Sequence, residues 1–348
     1  MSQTVVLITG TNRGLGRALV ERFLKLPNHT VVAANRNPED AGSKSLADLP
    51  KGANSSLILT KYDARAEQSP FDVVKELQEK HGIEHLDIVI PNAAIVTAFP
   101  FARDVKRADI LEHAEINVLG GISLFQATRD LLQKSTKQPI FAFMASGAGY
   151  IQKQPDVPSS AYGATKVMLY WYAVRINAEE EWLNTFAIDP GFVQTDMGND
   201  AARRWGLGEA PLTVDESIDG VFQVLRTATK EKYGGKAVLY TGEVNFGMIT
   251  VPQRAHSHAS GICSQETPRM SYADCLPEGT NLVVFIRYTG FRYCKDVVLS
   301  LSSSSASISR DFDLTSTTDI DNQRSVASLQ SIIGLAAAVS LNDVSISS

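Results

Sequence analysis

Tyr162 and Lys166 stand four residues apart in Tyr162-Gly163-Ala164-Thr165-Lys166, near the start of a segment of helical period from Ala161 to Glu181. That spacing puts both side chains on one helix face. A phenol whose ordinary pKa is near ~10 is a poor proton donor or acceptor at neutral pH, and an ammonium beside it stabilises the phenolate and brings it toward a working range. The pair therefore reads as a general acid or base with its tuning cation. Ser146 lies just past the apolar run Ile140 to Met144, at the strand end where parallel α/β sheets bind ligands, and its hydroxyl can hold a carbonyl oxygen. Each residue alone also suits an ordinary role, surface packing for the Tyr-Lys pair and turn formation for the serine.

A second constellation opens the chain. The apolar run Val5 to Thr9 ends in Gly10-Thr11-Asn12-Arg13-Gly14-Leu15-Gly16, and a helical pattern follows at once. Glycines there let the chain turn tightly and bring backbone N–H groups and a helix N-terminus against a pyrophosphate. In dinucleotide folds an acidic residue at the end of the second strand takes the adenosine ribose hydroxyls. This chain has Ala33-Ala34-Asn35-Arg36 instead. A carboxylate would repel a 2′-phosphate, whereas Arg36 offers a planar, permanently charged fork and Arg13 a second cation, so the choice leans to NADP(H).

These residues need a scaffold, and the pattern supplies one. Apolar β-branched runs at Val5 to Thr9, Thr30 to Ala34, Ser56 to Leu59, Asp87 to Ile90, Ile140 to Met144, Asn184 to Ile188 and Ala237 to Leu239 alternate with helical segments. The helical segments are Leu15 to Leu26, Phe71 to His81, Ala114 to Leu132, Ala161 to Glu181 and Val214 to Thr229, with starts marked by Pro70 and by an N-cap at Thr213. That alternation predicts an α/β fold, a doubly wound, Rossmann-type sheet of seven parallel strands covered by helices on both faces.

A net charge of −5 gives no basic surplus, which argues against nucleic acid or an anionic membrane as the main partner and for a small molecule. No run reaches the ~18 apolar residues of a membrane span; Val326 to Leu341 is broken by Ser328, Gln330, Ser331 and Ser340. The three cysteines, Cys263, Cys275 and Cys294, suit neither a disulfide framework nor a zinc site, so no metal is expected and a reducing, cytoplasmic compartment is.

Taken together and in this order, the glycine turn, Ser146, Tyr162 and Lys166 resemble the short-chain dehydrogenase/reductase family, over Thr4 to about Tyr240. Further matches are Asn92-Ala93-Ala94 after the fourth strand, Asn117 within Glu115-Ile116-Asn117-Val118, Asp63 after the third strand, and Asp189-Pro190-Gly191-Phe192-Val193-Gln194-Thr195. The resemblance implies a catalytic tetrad of Asn117, Ser146, Tyr162 and Lys166. It implies a cofactor site drawn from Gly10, Asn12, Arg13, Gly14, Leu15, Gly16, Arg36, Asp63, Asn92, Ala93, Tyr162, Lys166, Pro190, Val193 and Thr195. Pro91 and Ala94 depart from the family's usual asparagine and glycine without touching that machinery. Hydride transfer between a nicotinamide and a carbonyl carbon would follow, with Tyr162 giving the proton, Lys166 holding the ribose and Asn117 anchoring a water. The resemblance also implies a homodimer or homotetramer built on the segments Ala114 to Leu132 and Ala161 to Glu181.

The run Trp182 to Gly198 resembles fungal ketoreductases similar to norsolorinic acid ketoreductase, which implies a ketone substrate, an aromatic polyketide of secondary metabolism. Phe99, Phe101, Tyr150, Met197 and Trp205 fall in the segments that would wall such a pocket. A non-catalytic NADP(H)-binding redox sensor of the same fold is the competing reading, with the intact tetrad standing against it. The catalytic domain is expected over residues 1–246. Residues 247–348, with a serine-rich stretch from Ser300 to Ser309, read as a low-complexity, disordered tail, in which Asn281 to Tyr288 is an isolated strand and Val326 to Leu341 a short helix.

Overall fold

A computed structural model of the chain describes residues 3–152, 154–245, 281–290 and 293–302, the last two as backbone strands. Residues 1–255 form one compact unit and 256–348 a second.

In the first unit seven strands form one parallel sheet: β1 (Thr4–Thr9), β2 (His29–Asn35), β3 (Ser56–Lys61), β4 (Ile88–Ile90), β5 (Ile140–Met144), β6 (Asn184–Asp189) and β7 (Ala237–Leu239). Their spatial order is β3-β2-β1-β4-β5-β6-β7, the doubly wound topology expected from the sequence. The order reverses at β1, so the crevice beyond the C-terminal ends of β1 and β4 is where a ligand fits. The glycine turn opens into it.

The helices are α1 (Gly14–Leu24), the short α2 (Ala41–Lys44), α3 (Ser69–His81), α4 (Arg107–Ala114), α5 (Gly120–Gln133), α6 (Ser160–Glu179), α7 (Asp196–Arg204), α8 (Val214–Thr227) and the short α9 (Lys230–Tyr233). Two buried clusters cover the two faces of the sheet. One packs α1 and α8 residues such as Leu19, Phe23, Ile218 and Leu225 against Val6, Ile8 and Val31; the other packs Leu124, Leu131, Leu169 and Ala173 against Val5, Leu7 and Val89. Alternate residues of β1 thus feed opposite layers, as the pleat requires. This explains why the strands read as continuous apolar runs.

Two helix starts fall where sequence chemistry puts them. Pro70 sits in the first turn of α3, and Thr213 caps α8 in a reciprocal box with Glu216, whose carboxylate accepts from the Thr213 N–H at 3.0 Å. The segment Ala114 to Leu132 differs in detail: the helix begins earlier, at Arg107, and α4 passes into α5 through one π-helical turn, Glu115–Leu119. Periodicity could not locate that turn, because one wide turn shifts the helical phase without removing it.

In the second unit β8 (Asn281–Gly290) pairs antiparallel with β9 (Tyr293–Ser302). The strand expected to be isolated therefore has a partner, one that takes in Ser300 and Ser302 at the start of the serine-rich stretch. The rest of that stretch, Val326 to Leu341, and Cys263 and Cys275 lie outside the described residues. Among the described residues no helix is long and apolar enough to cross a membrane, and no group of three or more His, Cys, Asp or Glu could hold a metal ion.

Candidate active site

A cavity of about 680 Å³ opens at the switch point. Gly10, Asn12, Arg13, Gly14, Leu15, Gly16, Arg36, Asp63, Asn92, Ala93, Tyr162, Lys166, Pro190 and Thr195 all line it, drawn from five strand ends and from α6. Of the expected cofactor residues Val193 alone does not line it. Val193 is buried and bridges to Leu212 instead.

The glycine turn is held from two sides. Asn35, at the end of β2, accepts the Thr11 N–H at 2.6 Å and the Thr11 hydroxyl at 3.0 Å, and donates to Ser43 at 3.0 Å. Asn92 donates through Nδ2 to the carbonyls of Thr9 and Gly10 at 2.9 and 3.0 Å, while its own N–H and that of Ala93 donate to the Thr9 hydroxyl. A Cβ on Gly16 would stand 2.2 Å from the Gly10 oxygen, and one on Gly10 2.9 Å from the Ala93 Cα. Glycine is thus required at both positions by close approach of backbone to backbone.

Arg36, past the end of β2, is exposed at the rim with no partner among the described residues. Arg13 departs from expectation. Its guanidinium pairs with Asp196 at 2.8 Å, joining the glycine turn to the start of α7, and both residues line the cavity. Sequence could not foresee this, because the two residues are 183 apart. On the opposite side Asp63 follows β3 and accepts the Arg65 N–H at 3.0 Å. Thr195 caps α7 by accepting the Gly198 N–H at 3.0 Å, and its methyl stands 3.4 Å from where a Gly14 Cβ would be.

The expected tetrad comes together. Asn117 lies in the π-helical turn, accepts the Ile95 N–H at 2.7 Å, donates to the Ile95 carbonyl at 3.0 Å, and reaches Thr165 at 3.3 Å, so it ties the loop after β4 to α6. Ser146 lies two residues past β5 in extended conformation and accepts the Ala148 N–H at 3.2 Å; its hydroxyl also stands near enough to Tyr162 to favour the phenolate. Lys166, 3% exposed, donates to the Met144 carbonyl at 2.8 Å, with its Nζ 5.3 Å from the centre of the Tyr162 ring.

The electrostatics differ from the sequence expectation in one respect. Burial lowers the Lys166 ammonium to about 8, against an upward pull from Asp189. Burial also pushes the Tyr162 phenol well above its ordinary range; the Ser146 hydrogen bond opposes this and Asp189 adds to it. Lys166 therefore does not bring Tyr162 down, because desolvation penalises the phenolate and the ammonium alike. A tyrosine held in its acid form can give a proton but is a poor base.

Sequence reasoning missed Asn35, Asp196 and the buried carboxylate of Asp189. A polar side chain closing an apolar strand, as Asn35 and Asp189 both do, is the signal that was there to find. Tyr150, expected to wall a substrate pocket, turns inward instead, and its hydroxyl donates to Asp189 at 2.5 Å. Of the other side chains expected there Met197 lines the cavity and Phe99, Phe101 and Trp205 do not; Phe99 and Phe192 pack against Trp205 with ring centres 6.2 and 5.5 Å from it, and the Trp205 indole N–H is buried without a partner among the described residues.

Comparison with known proteins agrees with this geometry. The short chain dehydrogenase family profile matches residues 4–205. The chain is 40% identical over 242 residues to the norsolorinic acid ketoreductase of Dothistroma septosporum, covering 68% of this chain and 90% of that protein. It is 38% identical over 242 residues to the norsolorinic acid ketoreductase of Aspergillus parasiticus, covering 69% and 89%. Among solved structures, NADPH-bound carbonyl reductase from chicken fatty liver superposes with a TM-score of 0.61 at 24% identity, over 70% of this chain and 99% of that one, and shares the fold. The chain belongs to the short-chain dehydrogenase family of oxidoreductases.

Proposed function

We propose that the chain is an NADPH-dependent ketoreductase of the cytoplasm, with its catalytic domain in residues 1–246, acting on an aromatic polyketide ketone of secondary metabolism. The observation that carries this reading is the meeting of Ser146, Tyr162 and Lys166 beside a cavity whose far rim holds Arg36.

The residues fit a phosphorylated dinucleotide. The glycine turn and the N-terminus of α1 would hold a pyrophosphate, Asp63 the adenine and Arg36 a 2′-phosphate. When bound, the cofactor supplies the hydride. The chain's own residues then orient and polarise the ketone. Ser146 holds the carbonyl oxygen by hydrogen bond, and Tyr162 gives its proton to the alkoxide that develops there. The raised phenol pKa favours this direction, since it keeps the donor protonated through neutral pH. Lys166 places a positive charge beneath the Tyr162 ring and refills the proton path, with Asn117 holding the loop that closes this side of the site.

The apolar side chains Ile95, Ile116 and Met197 in the cavity lining support an apolar ketone, and the names of the fungal relatives support an aromatic polyketide. Exposed Leu111 on α4 and Trp171 and Val174 on α6, two helices packed together, support a homodimer or homotetramer.

The test is loss of NADPH absorbance by the full-length chain against a panel of polycyclic aromatic ketones, quinones and simple aldehydes. Turnover of the aromatic ketones supports the reading. Tight NADPH binding without turnover on any carbonyl would replace it with the redox-sensor reading.

A further inference from the structure

We propose that Asp189 is a positioning residue of this site, a buried carboxylate that tethers the Ser146 turn through Tyr150 and sets the charge balance around Lys166 and Tyr162. The inference rests on the reductase reading and goes beyond it, since Asp189 touches neither the carbonyl nor the dinucleotide in that scheme.

The placement is specific. Asp189 is the last residue of β6 and 6% exposed. Its Oδ1 accepts the Gly191 N–H at 3.0 Å, which leaves the other oxygen directed across the sheet toward β5. That oxygen accepts the Tyr150 hydroxyl at 2.5 Å and stands 3.2 Å from where a Gly147 Cβ would be, directly against the residue after Ser146. Tyr150 belongs to the turn that Ser146 begins, and its N–H returns to the Gly147 carbonyl at 3.1 Å. A neighbouring tyrosine, Tyr170 of α6, donates to the Ser146 carbonyl at 3.2 Å with its ring 5.9 Å from that of Tyr150. The Ser146 turn is therefore clamped at both ends by phenols, one of them anchored on Asp189.

The second consequence is electrostatic. A buried carboxylate is costly unless paired, and its hydrogen bonds here come from neutral donors, so its charge is felt by the groups around it. Those groups are Tyr150 on the Ser146 turn and Tyr162, Lys166 and Tyr170 on α6, with Tyr240 and Asn245 on the β7 side contributing no charge. For all four of the former the carboxylate favours the protonated form. It thus opposes the loss of the Lys166 ammonium and of the Tyr162 proton, the two charge states that a proton-donating site needs. A neutral side chain at 189 would hold the backbone equally well and would not do this.

Asp189→Asn keeps the shape and an acceptor for Gly191 while removing the charge, and Tyr150→Phe removes the tether while keeping the charge. Both are measured with the full-length chain, NADPH and a polycyclic aromatic ketone, after circular dichroism and NADPH binding confirm folding. For Asp189→Asn the alkaline limb of the kcat–pH profile is expected to move about one pH unit to the acid side. For Tyr150→Phe kcat is expected to fall several-fold with the limb in place. Ultraviolet difference titration, with and without Tyr162→Phe in each background, reads Tyr162 directly and needs no substrate; in Asp189→Asn the phenol should ionise at lower pH. A profile and titration unchanged in Asp189→Asn would overturn the electrostatic role, and wild-type kcat in Tyr150→Phe would overturn the tether. Should the wild-type chain bind NADPH but turn over no carbonyl, the reductase reading fails instead, while the titration still reports on Asp189.

Discussion

Lys166 Nζ lies 5.3 Å from the centre of the Tyr162 ring and is hydrogen-bonded to the Met144 carbonyl at 2.8 Å, so the ammonium is fixed by the end of β5 rather than by the phenol it serves. The phenol keeps its own proton. Tyr162→Phe preserves the ring and this geometry, and NADPH-dependent ketone reduction is expected to fall by about 10²- to 10⁴-fold, with NADPH affinity little changed in a fluorescence titration.

Burying that ammonium costs stability. In the folded chain Lys166 loses its proton near 8, against an ordinary value of 10.5, so between those two values the unfolded chain binds more protons and stability rises with pH. At neutral pH the penalty is of order 3 kcal/mol. Lys166→Met is expected to be inactive yet to melt a few degrees higher at pH 7, and its advantage should shrink as pH rises through 8 toward 10.5. Thermal unfolding of both proteins across that range checks this.

Arg36 is exposed at the cavity rim with no partner among the described residues, so reversing its charge should disturb the ligand more than the fold. Arg36→Glu is expected to weaken NADPH binding by about 100-fold while leaving NADH within a small factor, because only NADPH carries a 2′-phosphate. Parallel Kd measurements with the two cofactors decide it.

Asp196 occupies the guanidinium of Arg13 in an ion pair whose side chains are both 74% exposed. Such a pair holds little energy and yields readily to a better anion. Asp196→Asn should free Arg13, tighten NADPH several-fold at low ionic strength, and lose that advantage as salt is added.

Gly16→Ala would bring a methyl to 2.2 Å from the Gly10 oxygen and 2.7 Å from Asn92 Nδ2. Neither atom can retreat without opening the turn that Asn92 closes. Dinucleotide binding is expected to be lost, with destabilisation of about 1 to 3 kcal/mol in a denaturant melt.

Much of the fold was legible because its signals are local. A parallel strand buried on both faces announces itself as an apolar run, and β5 and β7 fall at Ile140–Met144 and Ala237–Leu239 as read. The Thr213–Glu216 cap and the Tyr162–Lys166 pair each lie within one helical turn, so spacing alone joined them. The π-helical turn under Asn117 was not legible, since it alters hydrogen bonding over five residues without changing which of them are apolar.

The sequence by itself determined the strand order's raw material, the glycine turn and the identity of the proton-transfer pair, because each depends on residues close along the chain. Tertiary structure alone decided that Arg13 turns to Asp196, that Tyr150 turns inward to Asp189 from 39 residues away, and that desolvation lifts Tyr162 while lowering Lys166. Those outcomes depend on which strand ends the sheet brings side by side and how much water it leaves between them, and a pattern of residue types does not encode either distance.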